Sequence, residues 1–227
     1  MIAFHNVSKV YAGQAPILED VSFKIEPKEF VSLVGRSGVG KSTIIKLLIG
    51  EEPPTKGRIV LGDYEVSRLK LKEMAHFRRQ IGTIFQDFRL LPTKTAYENV
   101  AFAMEVGGHP QGEIDDLVPK VLDMVGLADK GDNFPNELSG GEKQRVAIAR
   151  AMIHRPSVII ADEPTGNLDP INEADIIRLL IKINELGTTV ILATHSKDVV
   201  DALRRRVITL DNGKIIRDEK AGKYILS

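Results

Sequence analysis

The stretch Phe30-Val31-Ser32-Leu33-Val34-Gly35-Arg36-Ser37-Gly38-Val39-Gly40-Lys41-Ser42 decides the fold. A short apolar run, the signature of a buried strand, breaks into a glycine-rich turn, and a helix is expected over 41–48. Residues 35–42 satisfy the pattern Gly-x-x-x-x-Gly-Lys-Ser/Thr in full. Glycines let such a loop wrap around phosphates, and its successive backbone N–H groups form an anion nest. Lys41 adds a point charge for β and γ phosphates, and Ser42 offers a hydroxyl to Mg²⁺. A plain glycine-rich turn before a helix is the alternative reading, and the complete pattern in a strand–turn–helix context argues against it.

Downstream residues supply the complement. Ser157-Val158-Ile159-Ile160-Ala161-Asp162-Glu163 is a buried strand ending in two adjacent carboxylates. Asp162 is a candidate to hold Mg²⁺ through its water shell. Glu163 is the candidate to orient or deprotonate an attacking water. Gln86 follows the expected strand 81–85, and its amide is a candidate for the metal or the water. His195 follows the expected strand 189–194 and is a candidate for the γ-phosphate. A lone Gln or His at a strand end is usually structural, but the carboxyl edge of a parallel sheet is where ligands bind. Tyr11 is a candidate to stack on the base. No Asn-Lys-x-Asp sequence occurs, so guanine reading in the small-GTPase manner is unsupported and ATP is the expected nucleotide.

A second helix start stands at Leu138-Ser139-Gly140-Gly141-Glu142. Ser139 and Glu142 have capping-box spacing. Two glycines in a first turn cost roughly 1 kcal/mol each against alanine. They make sense where something approaches that backbone closely and an anion meets the free N–H groups and the helix dipole. Taken alone, the pentapeptide reads equally well as a glycine-softened helix start; the phosphate loop upstream favours the anion reading.

The chain has 227 residues, 43% of them apolar, which suits one large α/β domain or a core with a subdomain. Lys plus Arg and Asp plus Glu balance at 31 each, so bulk charge calls for neither nucleic acid nor an anionic membrane. The absence of cysteine excludes disulfides and thiolate metal sites. Met1-Ile2-Ala3-Phe4-His5-Asn6 lacks the basic region and long apolar run of a signal peptide, and no apolar stretch is long enough to span a bilayer. The expectation is a protein soluble by itself, with any membrane role resting on a partner. Further strands are expected at 2–7, 21–25, 158–161 and 190–193, with a mostly helical region over 96–125. Asp211-Asn212-Gly213 signals a hairpin between 207–210 and 214–216. Continuous apolar strands alternating with helices argue for a buried parallel sheet, with the central helical stretch as an insertion.

In their order along the chain, these motifs resemble the nucleotide-binding subunit of an ABC ATPase, and the match covers nearly the whole chain. The resemblance implies an α/β fold: a P-loop NTPase core of RecA-like, mainly parallel sheet, an N-terminal antiparallel β part and an inserted α-helical subdomain. It implies a single domain over 1–227, the core about 1–86 and 156–227 and the helical subdomain about 87–155. Cofactors would be ATP and Mg²⁺. Carried over onto this sequence, Glu163 and His195 are catalytic. Nucleotide would be bound by Tyr11, Gly35, Arg36, Ser37, Gly38, Val39, Gly40, Lys41, Ser42, Thr43 and Gln86, and by Ser139, Gly140 and Gly141 of the signature; Mg²⁺ would be held by Ser42, Gln86 and Asp162. Gly166-Asn167-Leu168-Asp169 resembles the loop linking paired sites, and His195 the switch histidine. His195-Ser196 departs from the more usual His-Asp without removing the histidine.

The wording around Arg78-Arg79-Gln80-Ile81-Gly82, Phe85-Gln86-Asp87 and Asn133-Phe134-Pro135 is similar to the branch serving cell division, lipoprotein release and macrolide efflux; the opening Met1-Ile2-x-Phe4-x-x-Val7-Ser8-Lys9-x-Tyr11, the short length and Asn133-Phe134-Pro135 favour its cell-division members. Membership implies a homodimer in the ATP-bound state, peripheral on the cytoplasmic face of the membrane. It also implies a transmembrane FtsX-like partner through which ATP use controls peptidoglycan hydrolases. Each ATP would lie between the P-loop of one chain and Ser139–Gly141 of the other. Phe88 and Leu90 are expected either in the subdomain core or in a groove for a cytoplasmic helix of the partner. The alternatives are a lipoprotein-release or macrolide-efflux ATPase and, in another class, a soluble ABC protein acting on nucleic acid or ribosomes. The stretch from Gln86 to Leu138 is too short for the coiled coil of chromosome clamps, and only one cassette is present. Neutral net charge gives no help to nucleic-acid binding.

Overall fold

A computed structural model describes residues 1–225; residues 226 and 227, inside the expected domain span 1–227, lie outside the described residues. By its internal contacts the chain divides into two compact units, Met1–Arg78 with Asn184–Ser227, and Arg79–Ile183.

The first unit holds two sets of strands. β1 (Ile2–Val10), β2 (Pro16–Ile25), β4 (Lys56–Leu61) and β5 (Tyr64–Glu65) form an antiparallel sheet in the order β2-β1-β4-β5. Phe4 stacks on Phe23 across its first ladder at 4.5 Å. The two N-terminal strands run longer than the apolar pattern indicates. Asn6 and Asp20 sit in the left-handed region at φ 48° and 51°, and the Asn6 side-chain amide donates to Asp20 at 2.8 Å. Pairing is irregular there and resumes beyond it, so period-2 alternation is lost while the strands continue.

β3 (Phe30–Val34) lies between β8 (Thr189–Thr194) and β9 (Arg206–Asp211), parallel to both, and β10 (Lys214–Glu219) closes the hairpin on β9. Every residue of β3 and β8 is buried. Full burial on both faces is why these strands read as continuous apolar runs. α1 (Lys41–Leu48) and α7 (Lys197–Leu203) belong to this unit.

Between α1 and the second unit stand β4, β5 and α2 (Leu71–Arg79), elements beyond those expected from the sequence. β4 begins with three exposed residues, and α2 buries only Phe77. In α2 the three-residue spacing of Leu71, Met74 and Phe77 is set in a short, strongly charged segment.

In the second unit β6 (Ile81–Phe85) and β7 (Val158–Asp162) pair in parallel, with Phe85 opposite Asp162. The expected helical region divides into α3 (Ala96–Gly107) and α4 (Gln111–Met124). Thr95 and Glu98 form a capping box at the start of α3, and Gly108 ends it at φ 78°. Pro110 then sits at the N-cap of α4, whose Ile114, Val118 and Leu122 form one buried stripe. α5 (Gly140–Met152) and α6 (Pro170–Glu185) complete the helices. The antiparallel N-terminal sheet, the parallel strands and the intervening helices make an α/β fold, as the sequence indicates.

Candidate nucleotide site

The phosphate loop leaves β3 at Val34 and enters α1 at Lys41. Gly35 lies where a Cβ would stand 2.4 Å from the Leu210 carbonyl oxygen, at φ 155°. Gly40, the N-cap of α1, is left-handed at φ 109°. Only glycine meets both requirements without strain. No side chain caps α1, and no acidic residue stands in its first turn. Its first N–H groups and the positive end of its dipole are therefore open to an anion. Lys41 is buried and curls back, its Nζ donating to the carbonyl oxygens of Gly35 at 2.8 Å and Arg36 at 3.2 Å. Ser42 is exposed beside it and Thr43 is buried. Arg36, Ser37, Gly38 and Val39 line one wall of an open cleft whose other wall is formed by Pro16, Ile17 and the 211–213 turn.

Tyr11 follows β1, and the Lys9 ammonium lies 5.0 Å from its ring centroid. Lys9 is in turn held by Glu52 at 3.0 Å and the Pro53 carbonyl at 2.8 Å. Val34 pairs with Thr194, so Gly35 and His195 both stand one residue past the same carboxyl edge. His195 is exposed there, and the Thr194 hydroxyl accepts from the Ser196 N–H at 3.0 Å.

The second unit repeats that arrangement. Because Phe85 pairs with Asp162, Gln86 and Glu163 both stand one step past the carboxyl edge. Glu163 is left-handed at φ 48°. A non-glycine residue held there costs about 1–3 kcal/mol and persists only where its surroundings over-determine it. Gly166 N–H bonds the Glu163 carbonyl at 3.1 Å, closing the turn. Gln86 and Asn167 bond reciprocally: Gln86 Nε2 donates to Asn167 Oδ1 at 3.3 Å, and Asn167 Nδ2 donates to the Gln86 carbonyl at 3.2 Å. No sequence signal tied Asn167 to Gln86, since the contact joins residues of separate loops.

At the signature helix the capping box is present. Ser139 Oγ accepts from Glu142 N–H at 3.2 Å, and Glu142 Oε2 accepts from Ser139 N–H at 2.8 Å. The Ser139 backbone N–H first, and its hydroxyl second, hold the Glu142 carboxyl below the usual carboxylate range. Ser139 is exposed. The structure sharpens the glycine argument. A Cβ on Gly141 would stand 2.1 Å from Asn172 Oδ1, so the close approach at Gly141 is already made within the chain. Gly140 is less confined, with Leu168 Cδ2 at 3.2 Å. Asn172 is anchored, its Nδ2 donating to Asp169 and its N–H bonding Asp169 Oδ1 at 3.0 Å. Gly141→Ala is therefore expected to destabilise the chain by about 1–3 kcal/mol, as overpacking does. Adding Asn172→Ala should recover most of that loss; thermal unfolding of both variants is the check.

The metal candidates Ser42, Gln86 and Asp162 offer a hydroxyl, an amide carbonyl and a carboxylate. All are hard oxygen donors, the set Mg²⁺ takes alongside substrate phosphates and water. Among the described residues no helix is long and apolar enough to cross a membrane.

Residues 18–166 match the family model described as ABC transporter. The chain is 50% identical to the cell division ATP-binding protein FtsE of Mycobacterium tuberculosis, covering 99% of this chain and 98% of that one. It is 46% identical to FtsE of Escherichia coli K12, covering 95% and 97%. Among solved structures it is similar to the ATP-binding cassette MJ0796, determined as a dimer in a post-hydrolysis state bound to ADP and Pi. That pair shows a TM-score of 0.88 and 36% identity, covering 99% of this chain and 100% of the other.

Proposed function

Because this chain belongs to the ABC transporter ATPase family, we propose that it is the ATP-hydrolysing subunit of a cell-division complex, working as a homodimer on an FtsX-like transmembrane protein. One observation carries the dimeric reading: a single chain presents two groups suited to phosphate, the uncapped start of α1 and the exposed Ser139 hydroxyl, which accepts from Glu142 N–H and can still donate. A nucleotide seated at the first has one γ-phosphate. Two chains facing head to tail place each ATP between the phosphate loop of one and Ser139–Gly141 of the other, and such a pairing closes on itself.

In this reading residues 35–43 cradle the phosphates, Lys41 neutralises them, and Tyr11 meets the base. Mg²⁺, when bound, offsets the charge that develops on the transferred phosphoryl group. Ser42, Asp162 and Gln86 are the residues that would hold it. Glu163 takes the proton of the attacking water, and His195 bonds the γ-phosphate. ATP joins the chains, and its hydrolysis removes the bridging charge and lets them part. The helical subdomain, assigned to about 87–155, transmits the change to the partner, which holds the protein on the cytoplasmic face of the membrane. The output is control of peptidoglycan hydrolases.

Support for a docking face comes from Phe88 and Leu90, half-buried after Gln86, and from Phe102 and Val106, exposed one turn apart on α3. Phe88→Ala is expected to weaken capture of the transmembrane partner from solubilised membranes by about tenfold, the loss of one interface anchor. ATP binding should be unaffected. Undiminished capture would remove Phe88 from the interface.

A further inference from the structure

The turn that follows Gln86, the glutamine loop, contains a local conflict that nothing in the proposed chemistry uses. Phe88 and Arg89 are consecutive, neither is glycine, and both are left-handed, at φ 59° and 49°. Two such residues in succession persist only where the surroundings over-determine them. Within the turn, Phe88 N–H bonds the Phe85 carbonyl at 3.3 Å, Arg89 N–H bonds the Asp87 carbonyl at 2.6 Å, and the Arg89 guanidinium pairs with Asp87 at 3.3 Å; a side chain of α5 reaches the turn from outside. Arg150 Nη2 donates to the Phe88 carbonyl at 2.8 Å, and Nη1 donates to the Arg89 carbonyl.

Arg150 has no other visible reason to be there. Among the described residues no carboxylate pairs with it. Burial, and then the charge of Arg89, both disfavour its cation. A guanidinium is nonetheless suited to the task, since its planar fork meets two adjacent carbonyls at once. The turn is held elsewhere too. The Arg89 guanidinium lies 3.6 Å from the Phe85 ring centroid, and Gln144, also of α5, reaches the Phe85 carbonyl at 3.5 Å.

α5 therefore carries the serine cap of the signature at one end and the pin of the glutamine loop at the other. We infer that Arg150 is a positioning residue that locks the left-handed turn at 88–89 to the signature helix, making Gln86 and Ser139 parts of one stiff body. Removing it frees the turn, and turnover falls because Gln86 is misplaced, while the phosphate loop still binds nucleotide. The route through Gln86 rests on the role proposed for that residue; the pin itself does not.

The test uses the full chain with Arg150→Ala, Arg150→Lys and the double variant Arg150→Ala/Phe88→Gly, which leaves the Arg89 stack on Phe85 in place. Glycine takes the left-handed region without a Cβ penalty, so it should hold the turn where the pin is gone. Arg150→Ala is expected to speed amide exchange over 88–91 by about tenfold and lower kcat by about as much, with ATP affinity within about twofold of the parent. Arg150→Lys, able to hold one carbonyl, should fall between. The double variant should regain about fivefold in kcat and recover exchange protection, a rescue that a merely structural role would not give.

Unchanged exchange at 88–91 in Arg150→Ala would overturn the pin. So would parental turnover in that variant, or a double variant no faster than it. Gln86→Ala is assayed in parallel. If it turns over at the parental rate while the rescue of Arg150→Ala holds, the pin stands and the route through Gln86 is overturned. Exchange in β3 and β8 reports whether each variant is folded.

Discussion

Glu163→Gln should bind ATP as the parent does and turn it over about 10²–10⁴-fold more slowly, the usual contribution of a positioned general base. Glu163 follows the last residue of a buried parallel strand, and its backbone is held at φ 48°, a conformation a non-glycine residue occupies only under constraint. Glutamine has the same shape and can keep the hydrogen bonds that a carboxylate accepts through one oxygen. It cannot take a proton from water. Binding and chemistry should therefore separate: ATP affinity near the parental value, kcat nearly lost. The phosphates would remain intact between two chains, and the dimer should persist for as long as ATP is present. Steady-state hydrolysis together with equilibrium ATP binding checks this, and parental hydrolysis would remove Glu163 from the role of base.

The second large effect comes from mixing two inactive chains. Lys41→Ala removes a buried cation whose Nζ is held by the loop carbonyls of Gly35 and Arg36. Ser139→Arg destroys the cap and fills the exposed start of α5. Each variant alone should lose about 10²–10³-fold in turnover, the scale of losing one preorganised charge-stabilising group. When they are mixed, a heterodimer joins the intact phosphate loop of the Ser139→Arg chain to the intact signature of the Lys41→Ala chain. Its other site carries both defects. Random pairing makes about half of the dimers mixed, each with one competent site of two, so activity should return to about a quarter of the parent. A mixture no more active than its two components would show that the signature does not act across an interface.

The sequence was most informative where burial and chemistry coincide. β3, β7 and β8 are continuous apolar runs because they are buried, and each ends on residues whose types already name a phosphate site. The capping box at Ser139 was legible for a similar reason, since both partners lie within one turn. Residues 56–79 are harder to read because β4 opens on three exposed residues and α2 sets its few apolar residues in a short, charged segment. The strand continuations past Asn6 and Asp20 were hidden by left-handed residues that break the alternation. Gly141 was recognised as a point of close approach, but its neighbour within the chain is Asn172, which stands in another segment. The Gln86–Asn167 bonds and the Arg150 clamp share that character. Each joins residues far apart in sequence, and no local pattern encodes a pairing of that kind.

If ATP joins two chains through the signature, the solution mass of Glu163→Gln reports it. With ATP and Mg²⁺ it should sediment at twice the mass of one chain, and without nucleotide at the mass of one chain. Adding Ser139→Arg should abolish the doubling while leaving ATP bound. A single-chain mass for Glu163→Gln saturated with ATP, or a doubling that survives Ser139→Arg, would show that ATP does not join the chains through the signature.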